Sequence, residues 1–215
     1  MSRGRIRISK GQVEDLEGIL SLRAVLAVDG SRVDGGQGGF LLGSDPERYR
    51  FFIEHSLVEV LRDEQGLQGF SIALSDSVLR QSDIWSRRAN VAWSGFDIAS
   101  IESDSVAYLD QIAVAPGFAR RAAGALACRM LDRVFLEHEH MLVTTVIAPW
   151  RNDAAIPMLK MIGAERVGEI DEVYPEVGPL RSAVHYLSRK TWVIQNRESA
   201  LVQRVRRRME GIHVV

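Results

Sequence analysis

The stretch from Gln111 to Leu131, QIAVAPGFARRAAGALACRML, changes character in its middle. Gln111 to Val114 closes an apolar run that begins at Val106 and has the length of a buried strand. From Arg120 to about Glu137 the pattern is that of a helix, with Leu126, Ala127, Cys128 and Met130 inside it. The joint between them holds Pro116, Gly117, Phe118, Ala119, Arg120, Arg121, Ala122, Ala123 and Gly124. A helix N-terminus carries unpaired backbone N–H groups and a partial positive charge. Small residues there let phosphate oxygens reach the backbone, and two arginines add charge, so the joint can hold a phosphate or pyrophosphate. The plainer reading is that Ala122, Ala123 and Gly124 only let the helix pack close to the sheet while the arginines sit in water. No Gly-Lys-Ser or Gly-Lys-Thr follows, which excludes a nucleotide P-loop, and the glycines of a dinucleotide fingerprint are missing.

Working outward, Arg5 to Ser9 predicts a short strand and Val13 to Ala27 a helix carrying Leu16, Ile19, Leu20 and Leu26. Val28 to Gly39 is a loop with Gly35, Gly36, Gly38 and Gly39 crowded together, read as a flexible lid or substrate loop. Ser44-Asp45-Pro46-Glu47 predicts a helix start, with Ser44 as cap and Glu47 completing a capping box, running to about His55. Leu57 to Leu61 and Leu67 to Leu74, joined by Asp63-Glu64-Gln65-Gly66, predict an antiparallel hairpin. Ser75 to Asp104 reads as a long irregular segment around Trp85 and Trp93, which with Phe40 are candidates to line an acceptor pocket. Met141 to Ile147 is a strand, Asn152 to about Ile162 a helix stopped by Gly163, and Val167 onward and Ala183 to Leu187 two further strands. Ser199 to Glu210 is a basic terminal helix. The order gives a mixed α/β sheet with helices packed on it, less strictly alternating than a doubly wound dinucleotide fold.

A second stretch, APWRNDAAIPMLKMIGAERVG, follows the next strand. Together the two stretches resemble the GNAT superfamily of N-acetyltransferases. Those enzymes carry Val-x-Pro at a strand end, then Gln/Arg-x-x-Gly-x-Gly/Ala opening a helix, and after a further strand Asn-x-x-Ala-Ile with a glycine stop. Here the first motif stands as Val114-Ala115-Pro116 followed by Ala119 to Gly124, and the second as Asn152 to Ile156 ending at Gly163-Ala164, within about Ser105 to Gly168. The resemblance implies a GNAT-like acyl-CoA N-acyltransferase fold, a central mixed sheet flanked by helices. It also implies a site for acetyl-CoA as co-substrate. The pyrophosphate would rest on Ala119, Arg120, Arg121, Ala122, Ala123, Gly124 and Ala125. The pantetheine arm would lie between splayed strands ending near Val114 and Ile147, pairing with the backbone of Ile112, Ala113 and Val114. Asn152, Ala155 and Leu159 would contact the coenzyme from the next helix. Three positions depart from the pattern. Ala119 replaces the usual Gln or Arg, Ala122 the usual first glycine, and Leu159 the tyrosine that protonates the departing thiolate. An alanine in helical conformation still presents its N–H, since only positive φ demands glycine. A thiolate of reference pKa about 8.5 leaves tolerably near neutrality, and water can supply its proton.

The attacking amine must be neutral, and an alkylammonium titrates near about 10.4, so a base or ordered water helps. By strand alternation Tyr108, Asp110, Ile112 and Val114 share one face. Asp110, with Tyr108 beside it, is the first catalytic candidate, provided that burial raises an aspartate from about 3.9. The structural alternative is an aspartate that bonds a neighbouring loop. Asp97, Glu102 and His185 are weaker candidates.

The whole-chain numbers fit this reading. A chain of 215 residues with 46% hydrophobic and 26% charged residues is globular and can bury a core without staples. The net charge of -1 excludes a whole-protein field that gathers nucleic acid or anionic lipid. The single cysteine, Cys128, excludes an internal disulfide and reads as a small core residue. His138-Glu139-His140 reads as a solvated helix end rather than a metal site, so no metal is expected. The N-terminus lacks a signal-peptide core and no run reaches membrane length, so a cytoplasmic protein with no membrane partner is expected. Residues 1–190 are expected to form the acetyltransferase domain and 191–215 a basic helical extension. In that extension Arg204, Arg206, Arg207 and Arg208 oppose a stripe of Leu201, Val205, Met209 and Ile212, which can dock on its own domain or on a second copy in a homodimer. The sharper alternative is an anionic partner such as nucleic acid. The expected activity is direct transfer of an acetyl group to a primary amine, on a small molecule or a peptide. The alternative is a non-catalytic acyl-CoA-binding protein on the same scaffold.

Overall fold

The structure is a computed structural model that describes residues 6–26, 41, 45–116, 120–175, 177–209 and 213–214. The crowded glycines, Phe40, Ser44, Ala119 and Ile212 lie outside them. Strand β1 (Arg7–Lys10) leads through a 3-10 turn into α1 (Leu16–Leu26). Then come α2 (Pro46–His55), β2 (Leu57–Asp63), β3 (Gly66–Leu74), α3 (Asp76–Arg80), α4 (Asp83–Ser86) and β4 (Ala92–Trp93). They are followed by β5 (Val106–Val114), α5 (Arg120–Glu137), β6 (His140–Ala148), α6 (Ile156–Ile162), β7 (Glu165–Tyr174) and β8 (Gly178–Ser188). The chain closes with α7 (Arg189–Glu198), α8 (Ala200–Met209) and β9 (His213–Val214).

One nine-stranded sheet runs in the order β4-β7-β8-β6-β5-β3-β2-β1-β9. Its neighbours are antiparallel except β5 with β6 and β1 with β9. The hairpin of β2 and β3 turns at Gly66, whose φ of 113° a side chain would resist. One face carries α1, α2 and the segment from α3 to β4 over a core that includes Ile19, Tyr49, Phe70, Ile72 and Val184. The other carries α5 to α8 over Leu131, Val134, Met141, Leu159, Ile162 and Val202.

The chain departs from the sequence reading at several points. Asp45, not Ser44, caps α2: its carboxylate accepts from the Arg48 N–H at 2.8 Å. Proline disfavours helical geometry in the residue before it, so Asp45 stays extended and the helix cannot begin earlier. Asn152 likewise does not begin a helix. Residues 153–155 form turns, Asn152 accepts from the Ala155 N–H at 3.3 Å, and α6 starts at Ile156 because Pro157 lacks the N–H that a longer helix would use. Gly163 does stop α6, at φ 77°.

The segment from Ser75 to Asp104 is folded rather than irregular. Ser82 caps α4, Arg80 and Arg88 lie over the Trp85 ring at 4.9 and 4.5 Å, and β4 pairs with β7 at the far edge of the sheet. Helix α7 has no counterpart in the sequence reading; Ser188 caps it by accepting from the Thr191 N–H at 3.0 Å. In α8 the buried stripe begins at Val202, not at Leu201, which is exposed. Arg206 is turned inward onto Asp132, at 2.5 and 2.6 Å. His138 is buried rather than solvated: its Nδ1 bonds the Val134 carbonyl at 3.0 Å and its Nε2 accepts from the Asp76 N–H at 3.1 Å. Cys128 is buried and free, and burial pushes its thiol up to about 11, as a core residue should be.

Candidate active site

The parallel ladder between β5 and β6 runs only from Val106 opposite His140 to Leu109 opposite Val143. Beyond that point the two strands part, and neither has a sheet partner on the side of the gap. Backbone groups of β5 past Leu109 therefore face the gap without a ladder to satisfy them, which leaves donors and acceptors for a ligand. The gap opens into a cleft of about 230 Å³.

A bulge marks the fork. Ile72 of β3 stands opposite Gln111 and Ala73 opposite Leu109, so Asp110 is the extra residue. A bulge shifts the side-chain alternation by one. Tyr108 therefore packs with the core under α1 and α2, whereas Ile112 and Val114 pack on the opposite face against the core under α5. The single face expected for Tyr108, Asp110, Ile112 and Val114 does not exist. The alternation rule failed because one inserted residue leaves no mark in the hydrophobic pattern.

Asp110 lines the cleft and accepts from the Gln111 side-chain amide at 3.0 Å. Gln111 in turn accepts from the Tyr49 hydroxyl at 2.8 Å. Burial pushes the Asp110 carboxyl up to about 6, against the pull of the Arg48 guanidinium, the Gln111 bond and Arg87. Tyr108 bonds Thr144 across the fork at 2.6 Å, hydroxyl to hydroxyl. Burial first, and then the Asp110 charge, push its phenol above the ordinary tyrosine range, so it stays protonated. From β7, Glu172 and Tyr174 complete this end of the cleft. Tyr174 donates to Glu172 at 3.0 Å, and Arg87 binds Glu172 at 2.7 Å.

The opposite end is apolar and small. Ile112, Val114, Ala123, Asn152, Ala155 and Met158 line it. Ala122 and Ala125 are buried against the core beside Ile8 and Leu61, so they can offer a ligand only backbone. The side chains of Arg120 and Arg121 lie outside the described residues. Gly124 has a different reason to be small: a Cβ there would stand 3.2 Å from Val205 on α8. That is the packing reading of the small-residue run, realised at one of its positions. Leu159 does not reach the cleft. It is buried in the core, and Met158 takes the lining position beside it.

The weaker candidates fall away from the cleft. Asp97 caps a 3-10 turn by accepting from the Ala99 N–H at 3.0 Å, and Glu102 binds Arg88 at 2.9 Å. His185 is buried and does not line the cleft. Trp85 and Trp93 line a smaller adjoining pocket. Sequence reasoning missed Thr144, Glu172, Tyr174 and Met158. The only signal for Glu172 and Tyr174 was the strand face they share with Ile170 along β7.

No protein-family model matches the chain, and no curated protein sequence does. Solved structures do match. NAA60 of Arabidopsis thaliana, in complex with acetyl-CoA, superposes with a TM-score of 0.61 at 14% identity, over 85% of this chain and 98% of that one. The ribosomal-protein-alanine N-acetyltransferase of Brucella melitensis gives 0.54 at 13%, over 84% and 98%. The polyamine N-acetyltransferase of Drosophila melanogaster gives 0.55 at 13%, over 85% and 99%. The fold is thus shared over nearly the whole length of these proteins, and the chain has the GNAT acyl-CoA N-acyltransferase fold.

Proposed function

We propose that the protein is an acetyl-CoA-dependent N-acetyltransferase that acts by direct attack of a primary amine, with a small molecule as acceptor. The observation that carries this reading is the fork between β5 and β6, with a carboxyl group raised to about 6 at its apex. At pH 7 such a group is about nine-tenths ionised, yet basic enough to take a proton from an attacking amine. The backbone of Ile112, Ala113 and Val114 pairs with the coenzyme arm, and Asn152 and Ala155 flank it. The N-terminus of α5, from Arg120 to Ala125, takes the pyrophosphate. The amine nitrogen bonds to the acetyl carbon, the carbon–sulfur bond breaks, and Asp110 receives the proton that the nitrogen gives up. Tyr108, too weak an acid to surrender its proton to a thiolate, donates a hydrogen bond at the fork as charge develops. Two carboxylates and two phenols at the acceptor end favour an acceptor that arrives as a cation, in keeping with the polyamine enzyme among the structural relatives.

The test is release of free thiol from acetyl-CoA across a panel of amines, with Asp110→Asn as control. Turnover that falls by ~10²-fold or more in the variant supports the reading. Coenzyme binding without turnover on any amine favours the second reading, a non-catalytic acyl-CoA-binding protein, which the burial of Leu159 away from the cleft also favours.

A further inference from the structure

The Asp110 carboxylate is one end of a chain of side chains that runs from the cleft into the core under α1 and α2. The bulge makes this chain possible, because it turns Gln111 and Ala113 to the face that Tyr108 already occupies. Gln111 thereby reaches Tyr49 of α2. Tyr49 is fully buried, with Phe52 and Phe70 edge-on to its ring, so its hydroxyl must find its partner within the protein. Burial pushes its phenol up to about 12, against the pull of the Arg23 guanidinium, so it keeps its proton. The direction of each bond follows from which groups can donate. An ionised carboxylate only accepts, so Gln111 turns its amide N–H to Asp110, at 3.0 Å. Its carbonyl oxygen then faces Tyr49, which donates to it at 2.8 Å. A guanidinium only donates, so Arg23 of α1, which hydrogen-bonds the Tyr49 hydroxyl, cannot take the phenol's proton and closes the reverse direction.

We propose that Arg23, Tyr49 and Gln111 are positioning residues of the reaction, a one-way chain of hydrogen bonds that fixes an N–H on the Asp110 carboxylate and holds it charged, ready for the amine's proton. The inference rests on the proposed function, which makes Asp110 the base. A hydrogen bond to the charged form of an acid favours that form. Burial opposes the charge on Asp110, and Gln111 opposes burial together with Arg48 of α2 and Arg87. Asp83 of α4 works with burial, Tyr108 beside it on β5 stays neutral, and Glu172 and Tyr174 of β7 border the same end of the cleft. Gln111 carries no net charge, so its effect depends on which end of the amide faces the carboxylate. The N–H end stabilises the charge and the oxygen end would repel it. Tyr49 decides which end that is.

The experiment follows the Asp110 carboxyl carbon of the full chain by NMR from about pH 4 to 8, beside kcat/KM over the same range. The wild type is compared with Tyr49→Phe, Gln111→Leu and the double variant, and loss of the resonance in Asp110→Asn identifies it. The wild-type midpoint is expected at about 6. It should rise by roughly one unit in Gln111→Leu, which removes the bond, and by roughly half a unit in Tyr49→Phe, which frees the amide to turn. The double variant should move no further than Gln111→Leu, since both act through one chain. A one-unit rise lowers kcat/KM by about fivefold at pH 6 and by less than about twofold at pH 8. Residues that only pack would cost stability and leave the midpoint in place. Tyr49→Phe takes only an oxygen from the core and decides the matter if Gln111→Leu does not fold. A midpoint that Tyr49→Phe leaves unmoved or lowers overturns the inference and leaves the proposed function standing. A wild type that turns over no amine, with the midpoint rising as expected in the variants, overturns the proposed function and leaves the hydrogen-bond chain standing.

Discussion

Replacing Asp110 by Asn should make the protein more stable and less active, with both effects tied to one pH window. The carboxyl stands at about 6 in the folded chain, against 3.8 for a free aspartate, because burial disfavours its charge. At 1.36 kcal/mol per unit the difference is about 3 kcal/mol. The sign follows from where the proton is held. Below pH 3.8 the group is protonated folded and unfolded, and its charge does not oppose folding. Between 3.8 and about 6 the unfolded chain releases the proton first, and wild-type stability falls as pH rises. Above about 6 the full penalty is in place. Asn is neutral throughout and its carbonyl can still accept from the Gln111 amide. Urea denaturation from pH 4 to 8 should therefore show the variant gaining little at pH 4 and ~3 kcal/mol at pH 8. Wild-type kcat/KM should rise with pH through about 6, and the residual activity of the variant should lack that limb. A stability difference that is the same at every pH would refute the claim that Asp110 is forced to ionise in a buried place.

Tyr108→Phe removes the 2.6 Å bond to Thr144 and should lower kcat by ~10²-fold with acetyl-CoA affinity unchanged in calorimetry. Gly124→Leu should cost ~1–3 kcal/mol in thermal denaturation through collision with Val205, and Val205→Ala in the same chain should recover most of it. Glu59, fully buried, binds Arg133 at 2.8 Å and lies 3.6 Å from Arg129, so Glu59→Gln should cost about 3 kcal/mol in urea denaturation by leaving two guanidiniums without their counter-charge.

The parts of the fold that were legible in the sequence have local causes. The run from Val106 to Val114, the small residues after Pro116 and the stop at Gly163 each act within a turn or a strand, and the fork entered only as what their resemblance to the GNAT pattern implies. What was missed depends on long range or on a single inserted residue. The bulge at Asp110 reverses the faces of half a strand without altering its apolar composition. Helix α7 buries only Trp192, and its other apolar residues, Val193 and Ile194, are exposed beside it, so it shows little apolar periodicity. The short helices α3 and α4 span a turn or so each and are held by Ser82 and by arginines on Trp85, contacts that periodicity cannot register. Glu172 and Tyr174 reach the cleft that Asp110 lines only because β7 returns beside β8, some sixty residues later in the chain. Gly124 belonged to the right motif but answers to α8, an element at the other end of the sequence.

The most direct test of the account is calorimetric titration of the protein with acetyl-CoA, beside an Arg120→Glu, Arg121→Glu variant shown by circular dichroism to be folded. The account predicts saturable one-to-one binding by the wild type and an affinity lower by tenfold or more in the variant, as expected when two cations at a helix N-terminus become anions facing a pyrophosphate. No binding by the wild type at millimolar coenzyme, or binding that the double reversal of charge leaves untouched, would contradict the claim that the fork and the start of α5 form a coenzyme site.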